Sequence, residues 1–250
     1  MITNDDGVHS PGLRAVAERL RELGEVTVVA PDREVSGISH ALTVAEPLRY
    51  EQLEDNVYAV GGTPTDCVNL AVGNLLAQRP ELVVSGINRG ANLGDDVTYS
   101  GTVAGAMEGA ILGITSFAVS LASKLSEDYR TAAEFAVQLA RILIEKSLPG
   151  RTFLNVNVPT GKVEGVRITN QGSRDQWARL EKRVDPGSRV YSWLKQGFGR
   201  REQNGMSDIA AVRENLISVT PLHVDFTNYH ALDELSSWGV NWNGGPPRGR

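Results

Sequence analysis

Short, almost wholly apolar runs alternate with helical patterns through the first half of the chain, and that alternation constrains the fold more than any other feature. The runs end at Thr3 or cover Val26 to Ala30, Val57 to Val60, Leu82 to Ser85 and Thr115 to Val119. A strand that is apolar on both faces must be covered on both, as in a parallel sheet between crossover helices. The first helix is sharply marked. Ser10 stands as its N-cap with Pro11 at the first helical position, Leu13, Val16, Ala17 and Leu20 form one apolar face, and Gly24 marks its stop. Further helices are expected from around Thr65, from near Ser100, and from about Glu127 to Glu145. The last of these turns Ala133, Phe135, Ala136, Leu139, Ile142 and Leu143 inward. With 250 residues, 41% of them hydrophobic, the chain can bury one substantial core.

Past Pro149 the pattern changes. Thr152 to Val158 and Ile217 to Thr220 read as strands and Ala231 to Trp238 as a final helix. Between them, Arg174 to Arg201 mixes Trp177, Tyr191, Trp193 and many charges without helical periodicity, which suits a projecting hairpin and a dimer arm. The reading is therefore a single α/β domain over residues 1–238. Its core covers about 1–173 and 211–222, a protruding hairpin about 174–210 and a C-terminal helix about 223–238. The remainder, 239–250, includes a Gly-, Pro- and Arg-rich stretch expected to be disordered.

A formal net charge of -5 provides no broad basic field, so nucleic acid is not an expected partner, and a small anionic ligand would need local neutralisation, for instance by a cation. The single cysteine, Cys67, cannot form an internal disulfide. No secretory leader pattern and no membrane-length apolar run is read, so the expected setting is the cytoplasm, with no membrane partner.

In a doubly wound sheet, ligands sit outside the carboxyl ends of the strands. The polar clusters that follow the apolar runs here are Asn4-Asp5-Asp6-Gly7, Pro31-Asp32-Arg33-Glu34-Val35-Ser36-Gly37, Gly61-Gly62-Thr63-Pro64-Thr65-Asp66 and Gly86-Ile87-Asn88-Arg89-Gly90. A further cluster, Tyr99-Ser100-Gly101-Thr102, opens a helix. Adjacent carboxylates such as Asp5 and Asp6 repel one another unless a cation or strong donors compensate. With the Ser36 hydroxyl and the Asn88 amide oxygen they would form an all-oxygen site suited to Mg²⁺ or Mn²⁺ and poorly suited to zinc. A solvated turn would use the same Asp-Asp-Gly residues.

At Ser100, Gly101 and Thr102 the unpaired N–H groups of a helix start would suit a phosphate, although ordinary N-capping accounts for Ser100 and Thr102 as well. Gly86, Gly90 and Gly94 are expected to hold Asn88 and Arg89 in a long loop, where Arg89 is a candidate phosphate donor or a solvated side chain. Asp95 and Asp96 form a weaker rival pair. Cys67 reads as a packing thiol; His9, close to the acidic pair, is a candidate for proton transfer or a surface loop histidine, and His40 is read in the same way. No G-x-G-x-x-G follows a strand, which weighs against a dinucleotide oxidoreductase, and the adjacent aspartates differ from the Asp-x-Asp of haloacid-dehalogenase-like phosphatases.

Taken in order, Thr3-Asn4-Asp5-Asp6-Gly7, Ala30-Pro31-Asp32-Arg33-Glu34 with Ser36-Gly37, Gly62-Thr63-Pro64-Thr65-Asp66-Cys67-Val68, Ser85-Gly86-Ile87-Asn88-Arg89-Gly90-Ala91-Asn92 and Ser100-Gly101-Thr102-Val103 resemble the SurE family of 5'/3'-nucleotidases. The resemblance is dense over about residues 1–120 and continues through Asn155-Val156-Asn157-Val158-Pro159 and Ile217-Ser218-Val219-Thr220-Pro221-Leu222. It implies a Rossmann-like, mostly parallel sheet with flanking helices and a projecting C-terminal β-hairpin that serves dimerisation. It also implies a metal-dependent phosphomonoesterase acting on nucleoside 5'- and 3'-monophosphates and on short polyphosphate, assembled as a homodimer or homotetramer.

Carried onto this sequence, the metal ligands fall on Asp5, Asp6, Ser36 and Asn88. They would hold one divalent ion per subunit, Mg²⁺ or Mn²⁺ with Co²⁺ as a substitute. The phosphate loop falls on Ser100, Gly101 and Thr102, with Asn88 assisting, and Asp5, Asp6 and Asn88 are the catalytic candidates. Whether water or an aspartate attacks phosphorus stays open. The rival reading is a non-catalytic, metal-dependent nucleotide or phosphate binder. The one departure from the family pattern is the short apolar stretch of Met1, Ile2 and Thr3 before the aspartates, which would anchor them less firmly.

Overall fold

A computed structural model describes residues 1–173, 179–195 and 205–240. In chain order the elements are β1 (Ile2–Thr3), α1 (Pro11–Leu20), β2 (Val28–Pro31), β3 (Tyr50–Glu54), β4 (Val57–Val60), α2 (Pro64–Leu70), β5 (Leu82–Arg89), α3 (Gly101–Ile111), β6 (Thr115–Leu121), α4 (Arg130–Glu145), β7 (Thr152–Val158), β8 (Gly165–Ile168), β9 (Arg179–Val184), β10 (Val190–Lys195), α5 (Asp208–Arg213), β11 (Leu216–His223) and α6 (His230–Ser237). Among the described residues, no helix is long and apolar enough to cross a membrane.

The main sheet has nine strands in the order β3-β4-β2-β1-β5-β6-β7-β11-β8. It is mostly parallel, with antiparallel pairing only where β3 meets β4 and β11 meets β7. The period-two alternation of the strands divides the core between two faces. Val84, Ile87, Phe117 and Val119 join the side of α1 and α4. Val83 and Ala118 face the opposite side, toward α2 and α3.

The start of α1 is as expected: Ser10 Oγ accepts from Leu13 N–H, with Pro11 first in the helix. The helix ends at Leu20, and a turn carries the chain on toward Gly24. On α4 the inward face is Ala132, Ala133, Ala136, Val137, Leu139, Ala140 and Leu143. Ile142, expected inside, is 44% exposed, because it falls off that stripe at helical spacing.

β1 is two residues long yet lies at the centre of the sheet. Ile2 pairs with Val28 on one side and Val84 on the other, and Thr3 pairs with Ser85. Anchoring of the following residues thus comes from both neighbours and not from strand length. The expected hairpin is present as β9 and β10, which among the described residues pair only with each other, from Val190 opposite Val184 to Lys195 opposite Arg179. Trp177, the stretches 174–178 and 196–204 and the tail 241–250 lie outside the described residues.

Candidate functional site

The order of the strands decides where a site can form. From β1 the chain moves outward through β2 and β4, then returns to place β5 on the other side of β1. The gap between β1 and β5 is therefore a topological switch point, where open α/β sheets leave a crevice. Asp5 and Asp6 emerge from β1, and Asn88 lies near the end of β5. Ser36 follows β2, and Ser100 caps α3.

Asp5 is 3% exposed and lies against the first turn of α3. The Thr102 hydroxyl donates to its Oδ1, and Gly101 approaches so closely that an added Cβ would lie 2.9 Å from Asp5 Cβ and 3.0 Å from Oδ2. Burial pushes the Asp5 carboxyl above the ordinary carboxylate range, opposed by the Thr102 hydroxyl and by backbone N–H groups including those of Thr102 and Gly101. Asp6 turns toward a different neighbour, with its Oδ2 accepting from Arg89 N–H at 2.9 Å. Burial pushes Asp6 upward as well. The Arg89 N–H opposes this, and the negative charges of Asp5 and Glu34 add to it. Burial thus disfavours the charged form of both carboxyls, and a cation beside them would favour it.

The remaining members arrive by other routes. Val35 N–H donates to Asp5 O at 2.8 Å, binding the post-β2 loop to the aspartates, and the exposed Ser36 follows with its hydroxyl donating to Glu34 Oε1 at 2.8 Å. Asn88 donates from Nδ2 to Gly90 O at 2.7 Å, leaving the amide oxygen as the end available to a ligand. Ser100 Oγ accepts from Val103 N–H at 3.1 Å, an ordinary N-cap.

Asn88 and Arg89 do not lie in a loop, as the glycine spacing had led us to expect. β5 continues through them past a register shift between Gly86 and Asn88. Gly86 makes this possible: at φ +135 it adopts a conformation suited to glycine, and a Cβ there would meet Val119 O at 2.2 Å. Asp6, Arg33, Glu34, Arg89, Glu127 and Tyr129 are among the residues lining an adjacent cavity of about 320 Å³, which His9 also borders. Asp95 and Asp96 lie in a 3₁₀ turn, Gly94–Thr98. Cys67 is buried and its thiol is pushed far up by burial, in keeping with a packing role. Among the described residues, no three or more His, Cys, Asp or Glu side chains are grouped to hold a metal, so a cation beside Asp5 and Asp6 would rely on neutral oxygens.

Residues 1–178 match the family model described as Survival protein SurE. The chain belongs to the SurE family. Relatives named 5'-nucleotidase SurE include a protein of Syntrophotalea carbinolica, 50% identical with 97% of this chain and 98% of the relative covered. Another, from Geobacter sulfurreducens, is 51% identical, with 96% and 94% covered. The crystal structure of the SurE protein from Aquifex aeolicus superposes with a TM-score of 0.85 at 40% identity, covering 96% of this chain and 98% of that one.

Two buried carboxylates, one on α2 and one on α3, have partners that sequence reading did not assign. Asp66 closes a capping box on α2 and accepts from the backbone and hydroxyl of Thr43 at 2.9 and 2.6 Å. Glu108, 5% exposed on α3, accepts from Asn69 and meets His40. The Thr-x-x-Asp spacing at Thr63 was a legible signal for the first. For the second there was none, since a glutamate within a helix ordinarily faces water.

Proposed function

We propose that this SurE protein is a 5'-nucleotidase, a phosphomonoesterase that releases phosphate from nucleoside 5'-monophosphates with one divalent cation per subunit. The observation that carries the reading is the pair Asp5 and Asp6 at the β1/β5 switch point, with Asp5 against the first turn of α3 and Asp6 against Arg89 on β5. Nucleoside 3'-monophosphates and short polyphosphate, which present the same terminal phosphoryl group, are further substrates in this reading. The setting is cytoplasmic and the assembly a homodimer or homotetramer.

The donor set fits Mg²⁺ or Mn²⁺, with Co²⁺ able to substitute: two carboxylates, the Ser36 hydroxyl and the Asn88 amide oxygen are all hard oxygens. When bound, the cation withdraws charge from the phosphoryl oxygens. The protein's own contribution is mostly positional and electrostatic. Thr102 fixes the rotamer of Asp5 through its hydroxyl. Ser100 orders the start of α3, the phosphate loop in this reading; its Gly101 and Thr102 N–H groups also bear on the Asp5 carboxylate, and Gly101 leaves room for that side chain. One Asn88 amide hydrogen is held by Gly90 O, and the other is free to donate to the transferred group.

Phosphate release from AMP, measured after exhaustive chelation and again with Mg²⁺, Mn²⁺ or Co²⁺ restored, tests the reading. Activity should vanish on chelation and return with metal, and turnover that persists without metal would overturn it. Asp5→Asn should lower kcat by at least about 100-fold, the scale of losing one group that acts on the transition state.

A further inference from the structure

The loop that delivers Ser36 is fastened beyond Ser36 as well as before it. Before it, Val35 N–H is held by Asp5 O. After it, Ser39 N–H donates to Tyr99 O at 3.0 Å and its hydroxyl to Thr98 O at 2.7 Å. The last fastening is of a different kind. His40 Nε2 lies 2.7 Å from Glu108 Oε2, and the other oxygen of that carboxylate accepts from Asn69 Nδ2 at 2.8 Å. An ionised carboxylate can only accept, so the imidazole supplies the N–H. Glu108 thus has both oxygens committed, one to α2 through Asn69 and one to the Ser36 loop through His40.

Backbone geometry makes this loop dependent on such fastenings. Gly37 and Ser39 both take positive φ, +77° and +59°, with a turn at Ser36 and Gly37. For Ser39 that conformation is uncommon and needs contacts to hold it. Ile38, between them, lies where a Cβ on Gly101 would come within 2.9 Å of its Cγ2, so the loop also rests on the start of α3. Contacts to α3 and, through Glu108 and Asn69, to α2 therefore hold the loop that carries Ser36.

We propose that His40 and Glu108 are positioning residues for the cation site. The Glu108 carboxylate, held by Asn69, grips the His40 imidazole and so keeps Ser36 at the distance from Asp5 and Asp6 that a shared cation requires. This rests on the reading of Ser36 as a ligand. Partners one step removed from a metal ligand orient it, and losing one typically weakens metal affinity by about 10- to 100-fold.

The test compares His40→Gln, which keeps an N–H donor, with His40→Leu, which keeps bulk without one. Mn²⁺ binding is followed by the electron paramagnetic resonance signal of the free ion, a readout independent of turnover. His40→Leu should bind Mn²⁺ about tenfold more weakly, with kcat recovering at saturating Mn²⁺, and His40→Gln should bind within about twofold of the wild type. Should His40→Leu not fold, Glu108→Leu, which removes the acceptor, takes its place and should show the same loss. Unchanged affinity in the donor-less variant, or equal weakening in both His40 variants, would overturn the proposal. Ser36→Ala separates the two ideas. If it weakens binding while His40→Leu does not, only the clamp fails. If Ser36→Ala itself leaves affinity intact, the ligand assignment fails with it.

Discussion

Thr102 is completely buried and gives its hydroxyl to Asp5, so one methyl-for-hydroxyl exchange isolates what that contact does. Thr102→Val keeps the shape and removes the hydroxyl donor to Asp5, whereas Thr102→Ser keeps it. We expect kcat on AMP to fall about tenfold in the first, the scale of a lost hydrogen bond to a charged group, and to stay near wild type in the second. Equal rates in both would remove Thr102 from the site. A second buried carboxylate offers a pH test away from the site. Asp208 accepts from Gly94, Gly172 and Ile209 N–H, yet its burial still pushes it above the ordinary range. A carboxyl raised in the folded state contributes stability that is present below its unfolded pKa and lost as pH rises through the folded one. Acidification from neutral to about pH 4 should therefore shift the unfolding free-energy difference between wild type and Asp208→Asn toward wild type. Urea titrations of both proteins at each pH measure it, and a shift in the opposite sense would refute the sign. At this scale the sequence was informative where chemistry is local. The Asp5-Asp6 pair and the Ser100 cap could be read because their meaning lies within a few residues. The hydroxyl of Thr102 and the carboxylate of Glu108 could not, because their partners are 97 and 68 residues away.

Two glycines show how closely the elements pack around the crevice. A Cβ on Gly12 would fall 2.0 Å from Ile87 O, so α1 touches β5 backbone to backbone. Gly12→Ala must part them, and should cost roughly 1–3 kcal/mol in urea unfolding, the range for overpacking a filled core. Gly101→Ala would press on Asp5 and Ile38, and should impair turnover more than stability. Elements with strong apolar periodicity were legible, and the weakly patterned ones were not. β3 (Tyr50–Glu54) is exposed along its whole length and two of its five residues are acidic, and β8 (Gly165–Ile168) is an edge strand without a buried residue. Neither carries the buried stripe that pattern reading needs. β5 was read too short for the opposite reason: glycine, asparagine and arginine look like loop even where ladder pairing to β6 continues to Arg89.

Across the whole molecule, apolar side chains remain exposed on the hairpin and near the C-terminal helix. Val184, Val190 and Trp193 are 60%, 60% and 57% exposed, and Phe226 and Trp238 are 81% and 64%. Exposed apolar groups of this number favour association, and sedimentation velocity over a range of concentrations should report a dimer or tetramer. A monomer mass at every concentration would count against the assembly proposed above. A bound cation stabilises the folded state by mass action, about 2.7 kcal/mol at a hundredfold excess over Kd. Chelation should therefore lower the melting temperature by several degrees, and Mn²⁺ should restore it.

The two-residue strand at the sheet centre also has a temporal meaning. Ile2 and Thr3 have no partner nearby in the chain; their ladder is completed only by Val28 and then by Val84 and Ser85. Contacts so distant in sequence form late, after the closure of long loops. β1 can therefore settle only once the chain extends through β5, and Asp5 and Asp6, which follow it directly, take up their places at the crevice only then. Any fragment that stops short of β5 would emerge with both carboxylates and no crevice to hold them.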